Sequence, residues 1–162
     1  MKRGAPKDQA TDISSGTCAE FYVMAELLRR GIRAYLTMGN HKQVDILVRP
    51  GQGSVKTLDV KAIHGPKPDG VRKSEVSWDL KSKVEQRIED QTFLYVLVWM
   101  GKKGDLSPPE YFVVPSRWAA MACRENHEEW ARGKSTRDGQ ATMRRLKYSQ
   151  VVEWKDRWEL LK

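Results

Sequence analysis

The chain has 162 residues, 40% hydrophobic and 31% charged, which fits one globular domain spanning residues 1–162 and excludes a disordered polymer. No apolar run approaches membrane-span length, and the opening Met1-Lys2-Arg3-Gly4-Ala5-Pro6-Lys7 has no apolar signal core behind it, so a cytoplasmic protein with no membrane contact is expected. Two cysteines, Cys18 and Cys123, provide neither a disulfide framework nor a structural zinc site, while a net charge of +8 and a pI near 9.6 favour nucleic acid or another polyanion as partner.

Residues Met1 to Asp12 are polar and predict a loose arm. A helix follows, with Ser14 or Ser15 as its N-cap and Gly31 as its terminating glycine. Between Cys18 and Leu28 it is nearly apolar all round, as expected of a helix buried against a sheet. Two acids interrupt it. Glu26 has Arg29 and Arg30 three and four residues on, the spacing of a surface ion pair. Glu20 has Val23 and Met24 there, so its carboxylate must be answered from outside the helix.

Ile32 to Thr37 reads as a strand and Met38 to Lys42 as a turn. Gln43 to Ile63 then reads as a β-hairpin closed at Pro50-Gly51-Gln52-Gly53. Alternation puts Val44, Ile46 and Val48 on one face of the first arm, with Asp45 and Leu47 on the other. In the second arm Leu58, Val60 and Ala62 share a face, and Thr57, Asp59, Lys61 and Ile63 take the opposite one. Asp59 and Lys61 therefore point the same way, roughly 7 Å apart along the strand.

The loop from His64 to Lys73 is rich in Pro, Gly and positive charge. Val76, Trp78 and Leu80 alternate with polar residues as in a short strand, and Ser82 to Gln91 is a surface turn or short helix. Phe93 to Met100 has the continuous apolarity of a central strand, and Glu110 to Pro115 forms another. Ser116 caps a helix from Arg117 to about Arg132, with Trp118, Met121, Ala122 and Trp130 as apolar contacts. Between Arg132 and Tyr148, six basic residues stand against Asp138 alone, a balance suited to phosphate contact or to a solvated surface. Val151 to Leu161 is amphipathic and packs back on the domain. This order of elements describes a three-layer α/β domain, a central mixed sheet flanked by helices.

Three charged groups in otherwise apolar strands need an explanation, because a charge in a sheet centre costs several kcal/mol unless paired, hydrated or metal-bound. Two acids beside one lysine leave a negative excess that a divalent cation would balance, the arrangement of a phosphodiesterase site. An Asp–Lys pair at a sheet edge is the alternative. The Asp-x-Lys spacing alone decides little: an acid two residues before a lysine arises roughly once in a chain of this length, and Asp79-Leu80-Lys81 and Glu153-Trp154-Lys155 repeat it. Its context decides more: an acid on the preceding strand, a short turn, an apolar strand, and Glu20 on the helix before.

From Gly16 to Ile63 that context resembles the PD-(D/E)xK nuclease superfamily, with its restriction-endonuclease-like fold, and in particular its small Holliday-junction-resolvase-like members. The resemblance is carried by Ala19-Glu20-Phe21, Leu28-Arg29-Arg30-Gly31, Gly39-Asn40, Val44-Asp45-Ile46-Leu47 and Leu58-Asp59-Val60-Lys61. Val44 stands where that family has a proline before the first acid. The resemblance implies that Asp45, Asp59 and the Val60 carbonyl bind Mg²⁺ (or Mn²⁺), that Glu20 assists the metal, and that Lys61 helps activate the attacking water. It implies an endodeoxyribonuclease acting on DNA, on branched or on repair and recombination substrates. The local excess of positive charge marks Lys67, Arg72, Lys73, Arg144, Arg145 and Lys147 as candidate DNA contacts. Cutting both strands would call for a homodimer. A catalytically idle nucleic-acid-binding module of the same fold is the main rival, and a structural subunit whose charges merely pair is the second.

Overall fold

The computed structural model describes residues 9–37, 44–67, 75–132 and 143–162, with residues 9–14 described as backbone only. The expected turn at Met38–Lys42, Arg72 and Lys73 in the basic loop, and residues 133–142 of the later basic run lie outside the described residues.

The first helix, α1 (Gln9–Arg29), begins earlier than its sequence signals imply. Residues Gln9 to Asp12, expected in a loose arm, are helical, and Ser14 and Ser15 lie inside the helix and not at its start. Its end is as expected. The Gly31 amide donates to the Leu28 carbonyl and the Ile32 amide to the Leu27 carbonyl, each at 2.9 Å, with Gly31 at φ 72°. This is a Schellman ending, which needs a left-handed residue at that point, and Ile32 and Leu27 share the core behind it.

Strands β1 (Arg33–Leu36), β2 (Ile46–Arg49) and β3 (Lys56–Ile63) form an antiparallel meander. The short β4 (Ser77–Asp79) and a 3₁₀ turn at Ser82–Arg87 lead to β5 (Phe93–Trp99), which pairs parallel to β3 with Asp59 opposite Tyr95. β6 (Glu110–Pro115) pairs antiparallel to β5 and completes a mixed sheet of order β1-β2-β3-β5-β6. α2 (Ser116–Ala131) follows directly.

The sequence pattern misses a second sheet. β4 pairs with β7 (Arg145–Lys147), so part of the expected basic surface run is a strand. α2 departs in detail as well. Pro115 is its N-cap, and the Ser116 hydroxyl donates to the Asp90 carbonyl instead. Its buried side carries Ala119, Ala120, Ala122 and Cys123, whereas Met121 and Trp130 are exposed. The chain closes with α3 (Tyr148–Val151) and two 3₁₀ turns, which return Trp158 and Leu161 to the core.

Apolar side chains cover both faces of the sheet, which makes the domain three-layered. On one face Ile46, Val48, Leu58, Val60, Leu94, Val96 and Val98 meet Ala19, Val23 and Leu27 of α1. On the other Phe93, Tyr95, Leu97, Phe112 and Val114 meet α2 and Trp78. Trp78 ties the small sheet to the large one: its indole nitrogen donates to the Val98 carbonyl at 3.2 Å, and its ring packs on Phe112 and Tyr148. Trp78→Ala is expected to lower the unfolding free energy by about 3–5 kcal/mol in urea denaturation, through the cavity left and the orphaned carbonyl.

Candidate active site

The site is built where β2 leaves β3. The last antiparallel bonds of that pair place Ile46 against Leu58, and the Asp45 amide still donates to the Leu58 carbonyl at 2.8 Å. The Asp45 carbonyl accepts from the Thr37 amide at 3.0 Å, so its backbone is pinned between the ends of β1 and β3. One step further the ladder is replaced by a side chain: the Val60 amide donates to Asp45 Oδ2 at 2.7 Å. In a strand the N–H and C=O of one residue face the same neighbour, so the Val60 carbonyl also faces this opened edge.

Asp59 and Lys61 point to the sheet face covered by α2, away from α1, and an ion pair joins the Lys61 ammonium to Asp59 Oδ1. Glu20 projects from α1, on the opposite face. It shares with Asp45, Val60 and Lys61 a groove of about 580 Å³, whose lining also includes Ser15, Gly16, Ala62, Ile63 and His64.

Electrostatics bind the four residues into one unit. Burial of Asp59, which is 5% exposed, pushes its carboxyl up to about 6; Lys61 opposes this by charge and hydrogen bond, and the adjoining Asp45 carboxyl adds to it. Glu20 is raised as well, first by partial burial and then by Asp45, with Lys61 opposing and Asp59 adding. The Tyr95 hydroxyl, raised by burial and then by the Asp59 charge, stays a neutral phenol behind the site.

The donor set fits a hard divalent cation. Two adjoining carboxylates, one desolvated, and an edge carbonyl provide oxygen ligands and an unmet demand for positive charge, and Mg²⁺ keeps several waters when bound by one or two carboxylates. Among the described residues no three His, Cys, Asp or Glu side chains form a ready-made metal cage. The Glu20 carboxyl stands within the field of Asp45 and Asp59.

The candidate DNA contacts are not gathered here. Lys67 pairs with Glu110 and lies over the Trp99 ring; Arg144 pairs with Glu85, and Arg145 with Asp79 at 2.8 Å. Arg145 and Lys147 line a second hollow of about 660 Å³ between α2 and β7, which shares no lining residue with the carboxylate groove. The groove also contains residues that sequence reasoning did not assign to it. Ser15 Oγ and His64 Nε2 lie within hydrogen-bond distance at 3.2 Å. Gly16 occupies a helix interior where an added Cβ would meet nothing within 4 Å, so packing does not require a glycine there. A glycine inside an apolar helix is the sequence signal that marks this wall.

The mixed five-stranded sheet between α1 and α2 is a restriction-endonuclease-like fold. Among solved structures the chain is similar to Hjc, a Holliday junction resolvase from the archaeal hyperthermophile Archaeoglobus fulgidus, a member of the PD-(D/E)xK nuclease superfamily; the likeness covers 90% of this chain and 94% of that one, at 15% identity and a TM-score of 0.50. No protein-family model and no curated protein matches the sequence.

Asp59 sets a pH dependence of stability. Its folded pKa lies above the unfolded value of 3.8, so the native state holds the proton longer; the contribution of Asp59 to stability is fully present below about pH 3.8 and is lost as pH rises through about 6, by about 3 kcal/mol. In metal-free buffer Asp59→Asn is expected to melt higher than the wild type at about pH 8 and equally at about pH 4. Added Mg²⁺ should raise the melting temperature of the wild type and leave that of the variant unchanged.

Proposed function

We propose that this chain is a divalent-metal-dependent endodeoxyribonuclease, hydrolysing phosphodiester bonds in DNA with Glu20, Asp45, Asp59 and Lys61. The observation that carries the reading is the buried Asp59 carboxylate, joined to Asp45 and Lys61 at a sheet edge that opens into a groove. A buried acid with a second acid beside it is poor structural economy and good cation chemistry. The likeness to a resolvase fold supports the same reading.

Asp45, Asp59 and the Val60 carbonyl would hold Mg²⁺ or Mn²⁺, with Glu20 acting through water. When bound, the ion supplies charge that polarises the scissile phosphate and acidifies water. The rest belongs to the chain. Asp45 is locked by its backbone bonds to Thr37 and Leu58, which keeps its carboxylate at the edge without an entropic cost at the moment of binding. Lys61 orients the attacking water and places positive charge beside the phosphate as its charge grows. Glu20, held above the ordinary glutamate range, accepts hydrogen bonds from water in the groove. At the far end Ser15 and His64 offer donors to phosphate oxygens on the same strand of DNA.

Lys61→Ala and Asp59→Ala are each expected to lower Mg²⁺-dependent plasmid nicking by roughly a hundredfold or more. Both variants should keep a cooperative melt and DNA binding in Ca²⁺; full activity in either would overturn the assignment. A catalytically idle nucleic-acid-binding module of the same fold is the alternative reading. For that module the wild type would bind DNA without nicking it in Mg²⁺ or Mn²⁺. Comparing junction, flap, duplex and single-stranded DNA identifies the substrate.

Gly16 separates stability from function. Gly16→Ala should stabilise the helix by about 0.5–1 kcal/mol, because it removes backbone freedom at a position with no steric objection. Gly16→Phe should keep the fold and reduce cleavage, by filling the groove wall against which the DNA backbone lies. A Gly16→Phe enzyme with wild-type turnover would place the substrate elsewhere.

A further inference from the structure

The hollow between α2 and β7 shares no residue with the carboxylate groove, and its walls have a different chemistry. Trp130 forms part of one wall, stacked on His127 with ring centroids 5.6 Å apart and planes 28° from parallel. Residues three apart on a helix share a face, so the two rings form a short aromatic step along α2. The imidazole steadies the indole, which stays 47% exposed, and Met143 adds a second apolar surface to the hollow.

The facing wall is cationic. Arg145 and Lys147 stand two apart in β7, so both line the hollow while Leu146 between them is buried. Their spacing along the strand is roughly 7 Å, close to the repeat of phosphates along an extended polynucleotide. Arg145 also pairs with Asp79 at 2.8 Å, but the two side chains are 55% and 50% exposed, and so hydrated a pair is weak enough to yield to a phosphate. Among the described lining residues Glu129 is the only acid, so two cations stand against one carboxylate. The walls are tied together. The Asn126 amide on α2 donates to the Arg145 carbonyl at 2.8 Å and exchanges hydrogen bonds with the Gln150 amide at 2.9 and 2.8 Å. The hollow is therefore preformed, and its volume of about 660 Å³ is that of a small-ligand site.

We propose that this hollow is a stacking site for an unpaired nucleobase of single-stranded DNA, with the base on Trp130 and its flanking phosphates on Arg145 and Lys147. Two features select this occupant. An indole takes a nucleobase through its face, and in a duplex those faces are hidden within the stack, so only an unpaired base can reach a ring inside a hollow. The cations opposite match the phosphates that travel with such a base, whereas an apolar partner would desolvate them without an answering charge. Every base has a π-face, so the site selects strandedness and not sequence. The Asn126 amide, a group suited to reading a base edge, is already engaged with Gln150 and Arg145. That the strand is DNA rests on the reading above; that an unpaired base is held here does not.

Fluorescence anisotropy of a labelled oligothymidine of about a dozen nucleotides, in EDTA and low salt, measures the contact without cleavage. Trp130→Ala should weaken binding by roughly tenfold to a hundredfold, and Trp130→Phe by much less, since a phenyl face also stacks. Trp130 is exposed, so both variants should melt with the wild type. Lys147→Ala should weaken binding and flatten its salt dependence by about 0.7 in log–log slope, the share of one phosphate on a single strand. A strand of the same length without bases should bind the wild type as weakly as oligothymidine binds Trp130→Ala. Duplex DNA should bind the wild type and Trp130→Ala alike, and thymidine monophosphate should bind far more weakly than the strand. Unchanged affinity in Trp130→Ala, full binding of the baseless strand, an equal loss with duplex, or a monophosphate as tight as the strand would overturn the proposal. A chain that binds in this way yet nicks nothing would remove the nuclease reading and leave this site standing.

Discussion

One hydrogen bond sets the geometry on which the candidate site depends: the Val60 amide donating to Asp45 Oδ2. A backbone amide in a central strand must be satisfied, and the neighbouring strand normally does this with a carbonyl. Here a carboxylate takes that place, and β2 can leave the sheet at that point without orphaning the amide. The groove lies at this point, lined by Asp45, Val60 and Lys61. The same bond brings the Asp45 carboxyl beside Asp59 and sets it within the field of Glu20 across the gap. Residues from opposite faces of a sheet can share a site only where the sheet has an edge to go around.

That arrangement is costly without a cation. Burial disfavours the Asp59 anion, the adjoining Asp45 disfavours it further, and Lys61 offsets only part of the penalty, as the carboxyl remains raised to about 6. An Asp–Lys pair kept for stability would be expected to show the opposite sign, with the acid held below its ordinary range. The Asp59 carboxyl is shifted toward the neutral acid even with a lysine beside it, a direction that added positive charge would reverse.

Much of this was legible before the fold was known, wherever the signal was local. The apolar run of β5, the proline ending β6 and the glycine ending α1 each act over a few residues, and each was placed within a residue or two. Alternation correctly put Asp59 and Lys61 on one face. The failures share a cause: they depend on partners distant in sequence. Ser14 and Ser15 resembled caps because capping is a local pattern, but the helix continues past them to Gln9, and Ser15 reaches His64 forty-nine positions away. The strand Arg145–Lys147 carries two charges in three residues and exists because Ser77–Asp79 pairs with it. The candidate DNA contacts Lys67, Arg144 and Arg145 each carry an ion pair to an acid from a remote segment, a pairing that composition does not reveal.

The all-round apolarity of α1 was the most instructive signal, because it was read as burial against the sheet and the sheet accounts for one side only. A helix has a limited number of faces, and here each has a different task. Val23 and Leu27 anchor it, Gly16 and Glu20 line the groove, and Phe21 and Leu28 face outward. Glu20 and Phe21 are neighbours in sequence, about 100° apart around the axis. Residues that anchor the helix, line the groove and face outward are therefore interleaved within about three turns. Apolarity alone does not tell them apart: Val23 and Phe21 are both apolar, and only the position of the sheet buries one and exposes the other.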